Sequence, residues 1–227
     1  MANVVRLLST LALRGALVQL AERYRAARGV ELDADYAPTV GLMKRLREGE
    51  KADVLILTRE GLDELVAEGT VVASSKIDLA RSYVGLAVKA GDRHPDISTE
   101  KALVSALLAA RSVAYSKIGA SGIYFAELIE KLGIAAEINA KATITEGFTA
   151  ERLITGEADL AVQQLSELKQ VAGVELVGPI PLSLQTAAIF TAGRMASSQN
   201  ADQADALLTY LASPEVAPVL HESGLEP

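Results

Sequence analysis

Residues 112–125 read Ser-Val-Ala-Tyr-Ser-Lys-Ile-Gly-Ala-Ser-Gly-Ile-Tyr-Phe. The pattern is a short apolar strand ending at Tyr115, a polar glycine-containing loop, and a helix opening near Ser121. A chain that empties from a strand into hydroxyls, glycine and a helix start presents several unpaired backbone N–H groups in one place. Those donors, with the positive end of the helix dipole, favour an anion. Ser116, Lys117, Ser121 and Gly122 are the candidate ligand-binding residues of this loop. The pattern occurs twice more: residues 4–8 run into Ser9-Thr10 and a helix, and residues 53–57 run into Thr58-Arg59 and a helix. One such hydroxyl is ordinarily a helix cap. Three in one chain point to a ligand, because open α/β sheets bind beyond the carboxyl ends of their strands.

Around these junctions the elements alternate. Residues 4–8 are a buried strand, and Leu13, Leu17, Leu20, Tyr24 and Ala27 recur at helical spacing up to Gly29. Residues 30–36 alternate apolar and polar, as a strand with one wet face does. A short helix from Pro38-Thr39, a buried strand at 52–57 and a helix at 60–68 follow, giving β-α-β-α-β-α, the order of a parallel sheet covered by helices. Residues 81–89, 112–115, 141–145, 159–163, 174–177 and 183–191 read as further strands. Helices are expected at 100–110, 121–132, 148–155 and 201–212, with a last short one after Ser213-Pro214. The segment before residue 53 (Gly-Glu-Lys-Ala-Asp-Val) echoes that before residue 159 (Gly-Glu-Ala-Asp-Leu). The echo suggests two similarly built halves with a ligand between them, joined at residues 81–89 and 178–181.

The totals bound the partner. The 227 residues are half hydrophobic but only 4% aromatic, without tryptophan, so the core is aliphatic. A net charge of −7 argues against nucleic acid or an anionic membrane as the main partner, while leaving room for a small anion. With no cysteine there is no disulfide, thiolate metal site or cysteine nucleophile. No cofactor and no metal are expected. No segment approaches membrane-spanning length, and no basic region with an apolar run opens the chain. The expected setting is therefore cytoplasmic as written, or periplasmic if a leader was removed.

The 52–57 segment, the 116–124 loop, Gly-Glu-Ala-Asp-Leu-Ala-Val-Gln-Gln-Leu-Ser-Glu at 156–167 and the tail from Leu211 together resemble the periplasmic molybdate-binding protein family. These are the substrate-binding subunits of a molybdate ABC importer and their relatives, and the resemblance runs the length of the chain. It implies a type II periplasmic-binding-protein fold: two α/β lobes, each a mixed sheet flanked by helices, with a ligand cleft between them and closure about a hinge. Lobe 1 would comprise residues 1–82 plus 186–227, and lobe 2 residues 83–185. It also implies that hydroxyls and amides at Ser9 or Thr10, Thr58, and Ser121 with Gly122 hold an oxyanion. The family's tyrosine falls at Gln164, and exchanging a phenol for an amide counts against molybdate itself. Arg14 and Lys117 are further departures. An arginine that grips a carboxylate by two parallel hydrogen bonds, near a lysine, suits an organic di- or tricarboxylate.

The same superfamily contains a bacterial aconitate isomerase, which needs a base beside a carboxylate-binding cage. His94 and His221 lie in a turn and the tail. Tyr115, Lys117, Glu146 and Glu167 are the other titratable groups near the expected cleft. No nucleophile–base pair, metal cluster or P-loop occurs; Gly-Ala-Ser-Gly at 119–122 lacks the lysine a Walker loop requires. The leading expectation is a solute-binding-type protein for a small anion, possible partner of an ABC transporter membrane subunit. The alternatives are an aconitate isomerase and an anion sensor acting on a protein.

Overall fold

The computed structural model describes residues 3–227. The first two residues, part of the expected leaderless start and of the expected first lobe, lie outside them. The chain divides into two compact units, Met1–Arg81 with Ala188–Pro227, and Ser82–Ala187.

The first unit opens with β1 (Asn3–Ser9), a 3₁₀ turn at Leu11–Leu13 and α1 (Arg14–Arg28). Helix α1 buries Ala16, Leu17, Leu20 and Tyr24 along one face and stops at Gly29, whose φ of 66° suits glycine. There follow β2 (Val30–Tyr36), α2 (Thr39–Arg47), β3 (Val54–Thr58), α3 (Arg59–Ala67) and β4 (Ile77–Ser82), whose last residue begins the second unit. The sheet order is β2-β1-β3-β10-β4, with β10 at Ala188–Arg194. Strand β1 runs parallel to β2 and β3, whereas β10 runs antiparallel to β3. The carboxyl ends of β2, β1 and β3, at Tyr36, Ser9 and Thr58, therefore fall at one edge of this sheet. Helices α9 (Ala201–Leu211) and α10 (Ala217–Glu222) join α1 in covering one face, around Leu7, Leu17, Leu20, Ile56 and Leu207. Leu42, Leu55, Leu57 and Leu62 fill the other. Truncating one of these leucines to alanine costs about 2–5 kcal/mol.

The second unit contains β5 (Val84–Lys89), α4 (Glu100–Ala109), β6 (Val113–Tyr115), α5 (Ala120–Lys131), α6 (Ala135–Ala140), β7 (Ala142–Ile144), α7 (Glu151–Ile154), β8 (Leu160–Gln164), α8 (Leu165–Leu168) and β9 (Val174–Pro179). Its sheet order is β7-β6-β8-β5-β9. Strands β6, β7 and β8 are parallel, and β5 runs antiparallel to β8 and β9. Phe125, Ile129, Leu103 and Leu107 cover one face.

Each sheet is mixed and flanked by helices, as expected. Three expectations need correction. The strand expected at 81–89 is two strands, β4 and β5, broken at Tyr83. The strand expected at 183–191 forms later, over Ala188–Arg194. Residues 178–181, expected to join the halves, lie wholly within the second unit, where Ile180 N–H donates to the Val84 carbonyl. Helix α6 was not expected at all.

The Gly-Glu-(x)-Ala-Asp echo has a structural basis. Asp53 accepts from Arg6 N–H at 2.9 Å, and Asp159 accepts from Arg111 N–H at 2.8 Å. In both cases an aspartate just ahead of a strand accepts from a backbone N–H within, or just before, the neighbouring parallel strand. The two units thus anchor the starts of their central strands by the same device.

Candidate functional site

The first unit gathers Ser9, Thr10, Arg14 and Thr58 at the carboxyl ends of β1 and β3. Thr10 N–H donates to the Ile56 carbonyl at 3.0 Å, which ties the β1 exit to β3. Ser9 is fully buried, and its hydroxyl donates to the Thr10 carbonyl at 3.2 Å. Thr10 is only 4% exposed, yet its Oγ1 has no hydrogen-bond partner. Leaving a buried hydroxyl unpaired costs on the order of 1–3 kcal/mol, so such groups mark places where a further partner belongs. Thr58 caps α3 weakly, accepting from Gly61 N–H at 3.4 Å, while its own N–H donates to Thr39 Oγ1 at 3.2 Å.

Arg14, the first residue of α1, is exposed and lies over the Tyr36 ring, 5.9 Å from guanidinium carbon to ring centroid. Tyr36 pairs in register with Ser9, and Ala37 N–H donates to the Ser9 carbonyl at 3.2 Å. The end of β2 therefore belongs to this set of residues. Its signal in the sequence was an alternating strand closing on an aromatic residue, but the pairing with Ser9 is non-local.

The second unit gathers Ser116, Lys117, Ser121, Gly122 and Gln164 at the carboxyl ends of β6 and β8. Ser116 Oγ accepts from Ile118 N–H at 3.3 Å and Gly119 N–H at 3.2 Å, folding the loop back on itself. Gly122 is required by this fold: a Cβ there would stand 1.6 Å from the Ser116 carbonyl oxygen. Ser121 is buried in the first turn of α5, and Lys117 is exposed. Gln164 is buried, and its amide is used by its own unit. Oriented to satisfy both ends, its NH2 donates to Ser82 Oγ, the Ser82 carbonyl and the Tyr83 carbonyl at 3.2–3.3 Å.

Glu167 completes a capping box with Gln164, accepting from its N–H at 3.3 Å. Burial pushes its carboxyl up from 4.5 to about 7, against the lowering effect of the Gln164 N–H and the Gln163 side chain. Next to it, Ser166 is 1% exposed with an unpartnered hydroxyl. Among the described residues only three side-chain polar atoms are so placed, and two of them, Thr10 Oγ1 and Ser166 Oγ, sit just beyond central parallel strands.

The other titratable candidates are elsewhere engaged. The Tyr115 hydroxyl donates to Asn139 Oδ1 at 2.5 Å in α6, and its ring packs edge-on to Phe125 at 5.2 Å. Glu146 is exposed. Both histidines are exposed, His94 pairing with Glu175 at 3.0 Å. Among the described residues no group of three or more His, Cys, Asp and Glu side chains is placed to hold a metal. Nor is any helix there long and apolar enough to cross a membrane.

Comparison with known proteins agrees with this architecture. The chain is 37% identical over 232 residues to an aconitate isomerase from Pseudomonas sp., covering 99% of this chain and 88% of that protein. The periplasmic molybdate-binding protein of Azotobacter vinelandii superposes with a TM-score of 0.83 at 16% identity, covering 98% of this chain and 99% of that one. A tungstate-binding protein from Desulfovibrio alaskensis G20 gives 0.69 at 16% identity, covering 100% and 99%. The solved structures establish the shared fold, that of two-lobed periplasmic binding proteins. Residues 5–226 match the family described as bacterial extracellular solute-binding proteins, and the chain belongs to that family.

Proposed function

We propose that this protein binds a small organic polycarboxylate at the carboxyl ends of its parallel strands. The observation that carries the reading is the buried Thr10 hydroxyl, which no protein group satisfies, at the exit of β1, one turn ahead of Arg14 at the start of α1. A hydroxyl alone suits any oxyanion; a planar guanidinium in addition suits a carboxylate, which it meets by two parallel hydrogen bonds. Calorimetric titration with trans-aconitate tests this. Binding that Thr10→Val and Arg14→Ala each weaken supports the reading, and binding that neither alters overturns it.

A second reading adds chemistry and is favoured by the 37% identity to an aconitate isomerase across nearly the whole chain. Interconversion of cis- and trans-aconitate removes one proton from the methylene carbon, shifts the double bond, and returns one proton to the former vinyl carbon. No oxidant or second substrate is consumed. The step needs a group that exchanges protons near neutrality; Glu167, in the first turn of α8 at the carboxyl end of β8, is the candidate, its carboxyl pushed up to about 7 by burial. In the binding-only reading an ABC transporter membrane subunit is its partner. Proton NMR of trans-aconitate incubated with the protein in D2O distinguishes the two. Appearance of the cis isomer with deuterium at carbon supports catalysis, and unchanged trans-aconitate restricts the protein to binding.

A further inference from the structure

We propose that Tyr36 is a positioning residue for Arg14, holding its guanidinium for a carboxylate of the ligand. This rests on the polycarboxylate reading and adds a residue that the strand-to-helix pattern did not single out. Three observations support it. Tyr36 ends β2 directly opposite Ser9, so its backbone is fixed by the same register that places the Ser9-Thr10 exit. Its ring is half-buried against the core beneath α1, which limits its freedom. The Arg14 guanidinium lies 5.9 Å from the ring centroid.

A side chain as long as arginine's loses rotamer freedom when it grips a ligand, and that loss weakens the grip. A fixed aromatic face reduces that loss, because the guanidinium plane is attracted to the ring. The gain applies only to a ligand that uses the guanidinium's fork.

The test compares Tyr36→Leu, Tyr36→Phe, Tyr36→Trp, Arg14→Ala and the Tyr36→Leu/Arg14→Ala double variant by calorimetry. Trans-aconitate is the probe, and thermal unfolding verifies that each variant folds. Tyr36→Leu is expected to weaken trans-aconitate about two- to fivefold. Tyr36→Phe and Tyr36→Trp, which keep a ring, are expected to restore the affinity. In the Arg14→Ala background the leucine change is expected to cost nothing further, the signature of two residues acting as one. Equal losses in Tyr36→Leu and Tyr36→Phe, or a leucine penalty undiminished without Arg14, would overturn the proposal. A wild-type protein without affinity for trans-aconitate removes the polycarboxylate reading itself. Loss of affinity in Arg14→Ala with none in Tyr36→Leu removes only the role of Tyr36.

Discussion

Gly122 and Ser116 are pressed together: the α5 backbone at Gly122 lies so close that any Cβ would stand 1.6 Å from the Ser116 carbonyl oxygen. This contact fixes the α5 amino terminus over the loop that leaves β6. A methyl group at residue 122 must push the helix start and the loop apart. Gly122→Ala is therefore expected to lower stability by about 1–3 kcal/mol and to weaken anion binding as well. Urea unfolding and calorimetry read the two effects; a variant as stable as wild type would show that the contact is not tight.

Thr10 offers the opposite separation. No protein group satisfies its buried hydroxyl, so Thr10→Val removes that group while keeping the shape. Stability without ligand is expected to stay level or rise by up to about 1 kcal/mol, while anion affinity falls by about 1–2 kcal/mol. Loss of stability without loss of affinity would place the hydroxyl's role in folding.

Glu167 makes stability depend on pH in a stated direction. Its carboxyl titrates near 7 in the folded protein because burial penalises the charge. Below pH 4.5 it is protonated folded or unfolded. As pH rises to about 7 the unfolded chain gives up the proton and the folded one keeps it. Stability therefore falls across that window and levels off above it, by an amount on the order of 3 kcal/mol. Glu167→Gln keeps an acceptor for the Gln164 N–H and removes the charge, so its profile is expected to lack this slope. Unfolding midpoints measured from pH 4 to 8 compare the two; identical slopes would contradict the assignment.

The two echoed aspartates differ in burial and should differ in cost. Asp53 is buried and accepts from Arg6 N–H, the Ser198 hydroxyl and the Asn200 amide. Removing it leaves three donors short of a partner, and Asp53→Ala is expected to destabilise by about 2–4 kcal/mol. Asp159 pairs with the Arg111 backbone and exposed guanidinium, so Asp159→Ala is expected to cost about 1 kcal/mol. Denaturant midpoints order the two, and equal losses would contradict the comparison.

What was legible in the sequence follows from where the information is local. Buried strands β3 and β8 open on apolar runs, Val-Leu-Ile-Leu and Leu-Ala-Val, and each is announced by the same aspartate motif. The hydroxyls after β1 and β3 and the glycine of the β6 loop stood out for the same reason. Strand β4 was missed because Asp78 and Arg81 interrupt its apolar pattern; it is an edge strand, where charge is tolerated. Tyr36 was missed because its importance lies in pairing with Ser9, 27 positions earlier. Tyr115 was read as a titratable candidate because Asn139 lies in a helix too short to show a period. Gln164 was named as a ligand contact from the resemblance; the hydrogen bonds of its amide to Ser82 and Tyr83 depend on tertiary packing and have no local signal.

The most direct measurement is thermal unfolding of the wild-type protein and Arg14→Ala with molybdate, tungstate, sulfate, citrate, cis-aconitate and trans-aconitate. A ligand at a hundred times its dissociation constant adds about 2.7 kcal/mol of stability. The expected result is a rise in midpoint with the tricarboxylates that shrinks in Arg14→Ala. A rise with molybdate or tungstate alone, undiminished by the loss of Arg14, would contradict a polycarboxylate site.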